Sequence, residues 1–114
     1  MVIASQTTLM PIADYFKVLS EVSRLQVLCA LKDGPKNVTE IMAATQLKQA
    51  NVSKHLQILS QSGLVARMPQ GVSVYYEIAD STIFALCDLV CDRIAQRLET
   101  QAEQLKILES VAFK

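Results

Sequence analysis

The sequence predicts a mainly α-helical domain with one small β-hairpin. Hydrophobic residues make up 51% of the 114 residues and aromatic residues only 5%, which favours aliphatic helix packing over a β-sandwich. Apolar residues recur at helical spacing along most of the chain, whereas residues 72–78 alternate after a turn-forming glycine. Because a chain of this length supports one core, residues 1–114 are expected to form a single domain.

Two helices are expected first. Pro11 suits the first turn of the first helix, where the missing amide proton costs no hydrogen bond. Ser20 suits the N-cap of a second helix, which Gly34 and Pro35 would end. The second helix is expected to bury an apolar stripe that includes a cysteine: Leu25, Leu28 and Cys29, with Val27 and Leu31 on its flank.

A second pair of helices follows. Asn37 precedes Glu40 by three residues, which is close to a capping box and opens a short third helix. A turn over residues 45–48 leads into a fourth helix over about 49–62, and Gly63 is expected to end it in the left-handed conformation. The spacing of apolar residues in the fourth helix turns three of them inward: Val52, Leu56 and Leu59.

A β-hairpin is expected after Gly63. Strands over residues 64–68 and 72–78 would be joined by residues 69–71, whose proline and glycine favour a turn. The alternation in the second strand predicts one shared face for four residues: Val72, Val74, Tyr76 and Ile78.

A long helix completes the chain. Asp80 or Ser81 would cap this helix, which extends over about residues 80–108. An apolar seam runs along it at alternating four- and three-residue steps: Cys87, Cys91, Ile94, Leu98, Gln101, Leu105 and Leu108. Since a small domain cannot cover so long a seam by itself, the sequence predicts a homodimer.

The middle of the chain is basic and free of acids. Residues 41–76 contain no aspartate or glutamate but include Lys48, Lys54, His55 and Arg67, although the net charge of the whole chain is zero. Because phosphates repel carboxylates, this segment predicts a surface that binds nucleic acid, formed by a recognition helix and a β-wing. The candidate DNA contacts are Gln49, Ala50, Asn51, Ser53, Lys54, Gln57 and Arg67.

The side-chain chemistry of these residues suits DNA. Glutamine and asparagine can form paired hydrogen bonds with adenine, while serine, lysine and arginine suit phosphate. The alternative is an ordinary solvated helix face. His55 is the only histidine, neighbours the core residue Leu56 and has no carboxylate near it in the sequence. We therefore expect His55 to be structural or to contact phosphate, rather than to act as an acid, a base or a metal ligand.

The helix order, the segment NVSKHLQILSQSGLV and the wing GVSVYYEI resemble the ArsR/SmtB family of winged-helix repressors, over about residues 11–98. The resemblance implies a winged helix-turn-helix fold (α-α-α-α-β-β-α) that is dimeric through its first and last helices. It also implies binding to a palindromic, double-stranded operator, with release by an inducer. By position, five residues match the family's DNA-contacting segment: Gln49, Ala50, Asn51, Ser53 and Lys54. Lys48 departs from the usual serine or threonine helix cap.

The three cysteines determine the inducer class that the sequence suggests. VTEIMAA lacks the family's cysteine box and the last helix lacks histidine, so a zinc site of that type is not expected. Cys29 and Cys91 resemble the thiol pair of the family's sulfide- and redox-responsive branch, of the SqrR, BigR and HlyU type. Cys87 leaves open a soft-ion sensor for arsenite, cadmium or lead that uses all three thiols, and also three inert packed cysteines.

Other classes of protein receive less support from the sequence. No phosphate-binding glycine loop, serine elbow or metalloprotease motif occurs, and a thiol oxidoreductase would lack its Cys-x-x-Cys, so no enzyme is predicted. A winged-helix module that binds only proteins remains an alternative. With no membrane span or signal peptide in the sequence, we expect a cytoplasmic repressor without membrane partners or a resident cofactor. Thiol chemistry at Cys29 and Cys91 would release it from its operator.

Overall fold

The structure is a computed structural model that describes residues 5–111. The chain divides into two compact units, one ending at Asp80 and the other beginning at Ser81. The first unit contains α1 (Gln6–Val18), α2 (Val22–Ala30), β1 (Lys36–Asn37), α3 (Val38–Thr45), α4 (Gln49–Gln61), β2 (Val65–Gln70) and β3 (Ser73–Ile78). The second contains one long helix, α5 (Thr82–Val111). The predicted order of four helices, a hairpin and a final helix is confirmed.

Helix α1 begins earlier than the sequence predicts. Ser5 is its N-cap, and the Ser5 hydroxyl accepts a hydrogen bond from the Thr8 backbone amide at 3.3 Å. Pro11 therefore lies inside the helix rather than in its first turn, which corrects the prediction. No residue of α1 is buried.

The buried stripe of α2 is rotated from the predicted one. Val27, Leu28 and Leu31 are buried, whereas Leu25 is half-buried and Cys29 is exposed. Arg24 occupies the remaining buried position of that stripe. Because arginine is charged, the spacing of apolar residues does not reveal that this position is buried. The N-cap is Glu21 and not Ser20, whose hydroxyl instead donates a hydrogen bond to the Lys17 carbonyl at 2.7 Å.

The ends of α3 and α4 follow their predicted local chemistry. Asn37 Oδ1 accepts from the Glu40 amide at 2.8 Å and Glu40 Oε1 accepts from the Asn37 amide at 3.0 Å, so the capping box is complete. At the end of α4, the Leu64 amide donates to the Leu59 carbonyl at 3.0 Å around Gly63, whose φ is 78°. That hydrogen bond is the long-range bond of a Schellman motif, and it fixes where the chain leaves α4.

The hairpin is tighter than predicted and gains a third strand. Gln70 pairs with Ser73, so Pro69 and Gln70 belong to β2, and the loop shrinks to Gly71 and Val72. β1 pairs antiparallel with β3, which gives the strand order β1-β3-β2. Val74, Tyr76 and Ile78 alternate along β3 and so share one face as predicted, whereas Val72 lies in the loop and is fully exposed. All residues of β3 are half-buried.

The core of the first unit lies between α2, α3, α4 and the start of β2. It consists of aliphatic side chains, including the three predicted from α4: Val27, Leu28, Leu31, Ile41, Val52, Leu56, Leu59, Leu64 and Val65. Burial of this kind stabilises a fold by about 1.5–3 kcal/mol for each large aliphatic side chain. The core therefore anchors α4 by one face and leaves its other face in solvent.

Candidate nucleic-acid interface

Every α4 residue that the sequence nominates for DNA contact is exposed to solvent. These exposed residues are Gln49, Ala50, Asn51, Ser53, Lys54 and Gln57. The opposite face is buried through Val52, His55, Leu56 and Leu59. At about 100° of rotation per residue, five of the six exposed residues fall within an arc of about 140°. Asn51 lies beyond that arc, next to the buried face.

One further residue shares this surface. Gln61 is exposed and follows Gln57 by one helical turn, so it falls on the same arc of α4. Its four-residue spacing from Gln57 was the available signal in the sequence. Gln61 extends the polar surface toward the hairpin end of α4.

The beginning of α4 has an unusual cap. Lys48 is the N-cap residue with extended backbone angles and makes no side-chain cap hydrogen bond. Serine, threonine, asparagine and aspartate are the favoured caps, and a cation at this end opposes the helix dipole. The amides of the first turn of α4 therefore lack a side-chain acceptor from the cap, and an anion placed there would be stabilised.

The turn before α4 sets the angle between the two helices. Gln46 is the C-cap of α3 in the left-handed conformation, with φ of 63°, and its backbone amide donates to the Met42 carbonyl at 2.8 Å. Together α3, this turn and α4 form a helix-turn-helix. The packing of α3 against α4 thus fixes the direction in which the polar face of α4 points.

The hairpin carries the remaining nominated residue. Arg67 is exposed on β2, and its pairing partner on β3 is Tyr76. The turn at Gly71 has φ of 62°, with glycine at the first position of a two-residue loop, as in a type II′ turn. Arg67 therefore lies in the paired part of the β2–β3 hairpin.

Three acids of the first unit that precede α4 have partners of their own: Glu21, Asp33 and Glu40. Glu40 is held in the capping box, and Glu21 Oε2 lies 2.9 Å from Arg24 Nη2. Asp33 accepts a hydrogen bond from Lys36 at 2.6 Å, and this bond lowers the pKa of Asp33. Residues 41–76 themselves contain no acid that could offset the positive charges of Lys48, Lys54 and Arg67.

His55 is buried, which rules out the phosphate-contacting alternative and leaves the structural one. Its exposed fraction is 2%, and its Nε2 lies 3.6 Å from Glu21 Oε1. A carboxylate does face it, although none is near it in the sequence. Burial lowers the pKa of His55, Glu21 acts in the opposite direction, and Arg24 and Lys54 lower it further.

The cysteines occupy different settings. Cys29 is exposed and borders a shallow, mainly apolar depression of about 430 Å³ between α2 and α3, lined also by Val22, Leu25 and Ala44. On α5, Cys91 is exposed and Cys87 is half-buried. Within residues 5–111, no three histidine, cysteine or acidic side chains gather where they could hold a metal ion. Over the same range, no helix is long and apolar enough to cross a bilayer.

Known proteins share both sequence and fold with this chain. Residues 21–67 match the family described as bacterial regulatory protein, arsR family. The transcriptional activator HlyU of Vibrio cholerae is 32% identical over 88 residues, which is 77% of this chain and 77% of HlyU. The crystal structure of Rv0081 from Mycobacterium tuberculosis has a TM-score of 0.77 at 26% identity, covering 86% of this chain and 99% of that one.

A second solved structure describes its own assembly. It is the homodimeric winged helix-turn-helix DNA-binding domain Mb0332 of Mycobacterium bovis, determined in solution by NMR. Its TM-score is 0.68 at 34% identity, covering 81% of this chain and 91% of that one. These similarities extend well beyond α4 and the hairpin.

Proposed function

The chain belongs to the arsR family of bacterial regulatory proteins and is a transcriptional regulator, and we propose that its α4 and hairpin bind double-stranded operator DNA. Membership of this family also confirms the winged helix-turn-helix fold class and the expectation that the protein is not an enzyme. The observation that carries the DNA-binding proposal is the exposed, acid-free face of α4, which begins at the N-cap Lys48.

Each part of this surface has a role in the proposed complex. Ser53 and Gln57 lie inside the exposed arc of α4 and Gln49 lies at one edge of it, and all three would reach base edges in the major groove. Lys54 lies at the other edge of that arc, and Arg67 extends from the hairpin, so both would contact phosphate. A phosphate at the α4 N-terminus would meet its uncapped amides and the Lys48 side chain, which explains an otherwise unfavourable cap.

DNA binding can be tested by the salt dependence of affinity. Fluorescence anisotropy with a labelled duplex from the region upstream of the chain's own gene gives Kd at several salt concentrations. Lys54→Ala should weaken binding and reduce the slope of log K against log salt by about 1, because one phosphate contact is lost. Lys106→Ala, at an exposed position of α5, is the matched control and should leave the slope unchanged.

The outcome separates two classes of function. Weak binding that does not respond to salt, with Lys54→Ala indistinguishable from wild type, would contradict the proposal and favour a module that binds only proteins. HlyU is named an activator, so a reporter gene placed behind the same upstream region tests whether this chain represses. We propose repression, which predicts higher reporter output when the chain is deleted.

The operator-bound form is proposed to be a homodimer. Mb0332 is homodimeric, and α1 and α5 of this chain each expose large apolar side chains. On α1 they are Leu9, Met10, Ile12 and Phe16; on α5 they include Ile94, Leu98, Leu105 and Leu108. Two copies joined through these helices would present two α4 helices to the two halves of a palindrome.

Release from DNA is proposed to depend on the thiols of Cys29 and Cys91, which are both exposed in the single chain. A thiolate attacks a sulfur atom of a polysulfide, forms a persulfide and expels a polysulfide one sulfur shorter. The second thiolate then attacks that persulfide, forms a disulfide and expels hydrosulfide. The exposed Cys29 carries this proposal, because a buried thiol would not react.

Thiol variants separate the candidate inducers. Polysulfide should release wild-type protein from the labelled duplex, while the Cys29→Ser, Cys91→Ser double variant stays bound. If the double variant is still released, the thiol mechanism is excluded and the regulator remains. Release of wild type by arsenite, cadmium or lead alone, with loss of that response in Cys87→Ser, would instead indicate an ion sensor that uses all three thiols.

A further inference from the structure

A partly buried polar network connects α4 to the start of α2 and the end of α1. His55 Nε2, on the inward face of α4, lies 3.6 Å from Glu21 Oε1. Glu21 Oε2 accepts a hydrogen bond from Arg24 Nη2 at 2.9 Å, and Arg24 Nη1 donates to the Val18 carbonyl at 2.9 Å. His55 is adjacent in sequence to Lys54 on the proposed DNA face. The polar network therefore contacts α4 on the side opposite to that face.

The ring of His55 is incompletely satisfied where it stands. Its Nδ1 is buried and has no hydrogen-bond partner among the described residues. At 3.6 Å, the contact from Nε2 to Glu21 is longer than a hydrogen bond. A neutral imidazole has one N–H to satisfy, whereas an imidazolium has two. The site therefore accommodates the neutral ring better than the charged one.

The surrounding charges act in both directions. The charged groups that act on His55 are Glu21 and Arg24 at the start of α2 and Lys54 on α4 itself. Glu21 favours a charged ring, but one of the two carboxylate oxygens of Glu21 already accepts a hydrogen bond from Arg24. To gain a hydrogen bond from a charged His55, Glu21 Oε1 and the ring would have to approach by about half an ångström or more. The Glu21 side chain is about half exposed and can make that approach by rotation, but the buried Nδ1 of a charged ring would also carry an N–H with no acceptor among the described residues. Movement of α4 against the core would relieve this unsatisfied donor.

We propose that neutral His55 is a positioning residue that holds α4 in its DNA-binding position, and that protonation of His55 weakens DNA binding because the buried Nδ1 then carries an N–H without an acceptor. This inference rests on the proposed function, in which α4 contacts DNA. His55 acts through the helix that carries Gln49 and Lys54 and does not touch the nucleic acid itself, because it is buried.

The predicted sign is opposite to that of simple electrostatics. DNA phosphates near a histidine favour its charged form, so their field alone would tighten binding as the pH falls. The proposal predicts instead that affinity falls by about threefold or more between pH 7.5 and 5.5. By linkage, DNA must then lower the pKa of His55. His55 is the single histidine, so no other side chain has its ordinary pKa in this interval.

Two measurements on the full chain test the proposal. Anisotropy with the labelled upstream duplex at constant ionic strength gives Kd from pH 5.5 to 7.5, and the single histidine Cε1–H signal in NMR gives the pKa of His55 with and without DNA. His55→Gln should abolish the decline in affinity at low pH. Glu21→Gln should lower the pKa of His55 and shift the decline to lower pH, and it remains informative if His55→Gln does not fold. Glu109→Gln, at an exposed position of α5, is the matched control for charge and should change neither.

The outcomes separate this inference from the proposed function. A lower pKa of His55 in the complex, with a pH profile that His55→Gln flattens, supports the positioning role. Specific binding accompanied by an unchanged or higher pKa of His55 overturns this role and leaves the DNA-binding proposal standing. Absence of specific binding at every pH overturns both.

Discussion

Two polar residues, Arg24 and His55, occupy positions in the buried faces of α2 and α4. Arg24 is 8% exposed and His55 is 2% exposed, and both face Glu21. The spacing of apolar residues does not predict that Arg24 or His55 is buried, because both side chains are counted as polar. Their shared partner, Glu21, is also distant from His55 in the sequence. Burial of such groups is tolerated when hydrogen bonds and charge pairs replace water. At the residue scale, this cluster accounts for the rotated stripe of α2.

Fold stability should depend on pH through His55. Its pKa in the folded chain lies below the ordinary value near 6.5, so the unfolded chain binds the proton more readily. The stabilisation is complete above about pH 6.5 and is lost as the pH falls through 6.5 toward the folded pKa. Urea denaturation from pH 7.5 to 5.5 should show declining stability in wild type and a smaller decline in His55→Gln. Equal declines in the two proteins would contradict the pKa assignment.

Gly63 should be required for its backbone conformation alone. Its φ is +78°, yet a Cβ built on it would meet no atom within 4 Å. Gly63→Ala should therefore destabilise the chain by about 1 kcal/mol through left-handed strain rather than through a clash. Gly63→Asn should lose less, because asparagine tolerates this region better. Thermal unfolding of wild type and the two variants measures the order of their stabilities. An equal loss of stability in the alanine and asparagine variants would indicate a steric cause.

At the element scale, α4 combines an optimised C-terminus with a poor N-terminus. The Schellman motif at Gly63 satisfies the last turn, whereas Lys48 leaves the first turn without a side-chain cap. A helix that served only to fill the core would gain from a serine or aspartate at its N-cap. This contrast favours a role for Lys48 outside the fold.

Replacing the cap should therefore separate stability from binding. Lys48→Ser should raise the unfolding free energy by about 0.5–1 kcal/mol, because serine caps the helix and removes a cation from its positive end. The same change should weaken binding to the labelled duplex, since a phosphate contact is lost. Thermal unfolding and anisotropy on one preparation measure both quantities. Tighter DNA binding by the serine variant would show that Lys48 does not contact phosphate.

The hairpin shows why element boundaries were harder to predict. The sequence predicts Pro69 in the connection, but Pro69 pairs with Val74 as part of β2. The strand order β1-β3-β2 makes β2 an edge strand, where a proline that lacks an amide proton costs little. The added strand β1 covers the other edge of β3 with only Lys36 and Asn37. So short a strand carries no periodicity to detect.

At the scale of the whole molecule, the exposed apolar side chains of α5 support a dimer. Ile94, Leu98, Leu105 and Leu108 of the seam are each more than half exposed in the single chain. Leu98→Glu should convert the dimer to a monomer, because a carboxylate would be buried in the seam. Sedimentation equilibrium at several protein concentrations measures the change.

An exposed leucine outside the seam gives the matched control. Leu89 is 65% exposed and lies off the four- and three-residue steps of the seam, so Leu89→Glu should stay dimeric. Dissociation of both variants to the same extent would show that α5 pairs through a different face. A wild-type chain that sediments as a monomer would contradict the dimer itself.

The features that could be predicted from the sequence depend on neighbours a few residues apart. These are the order of the helices, the Asn37–Glu40 capping box, the left-handed Gly63 and the exposed polar face of α4, since helical period and cap chemistry act locally. Three other features emerge only from the folded structure: Cys29 faces solvent, Pro69 joins an edge strand and Glu21 faces His55. Each of these depends on how separate elements pack, and side-chain spacing along one element carries no information about the element it will meet.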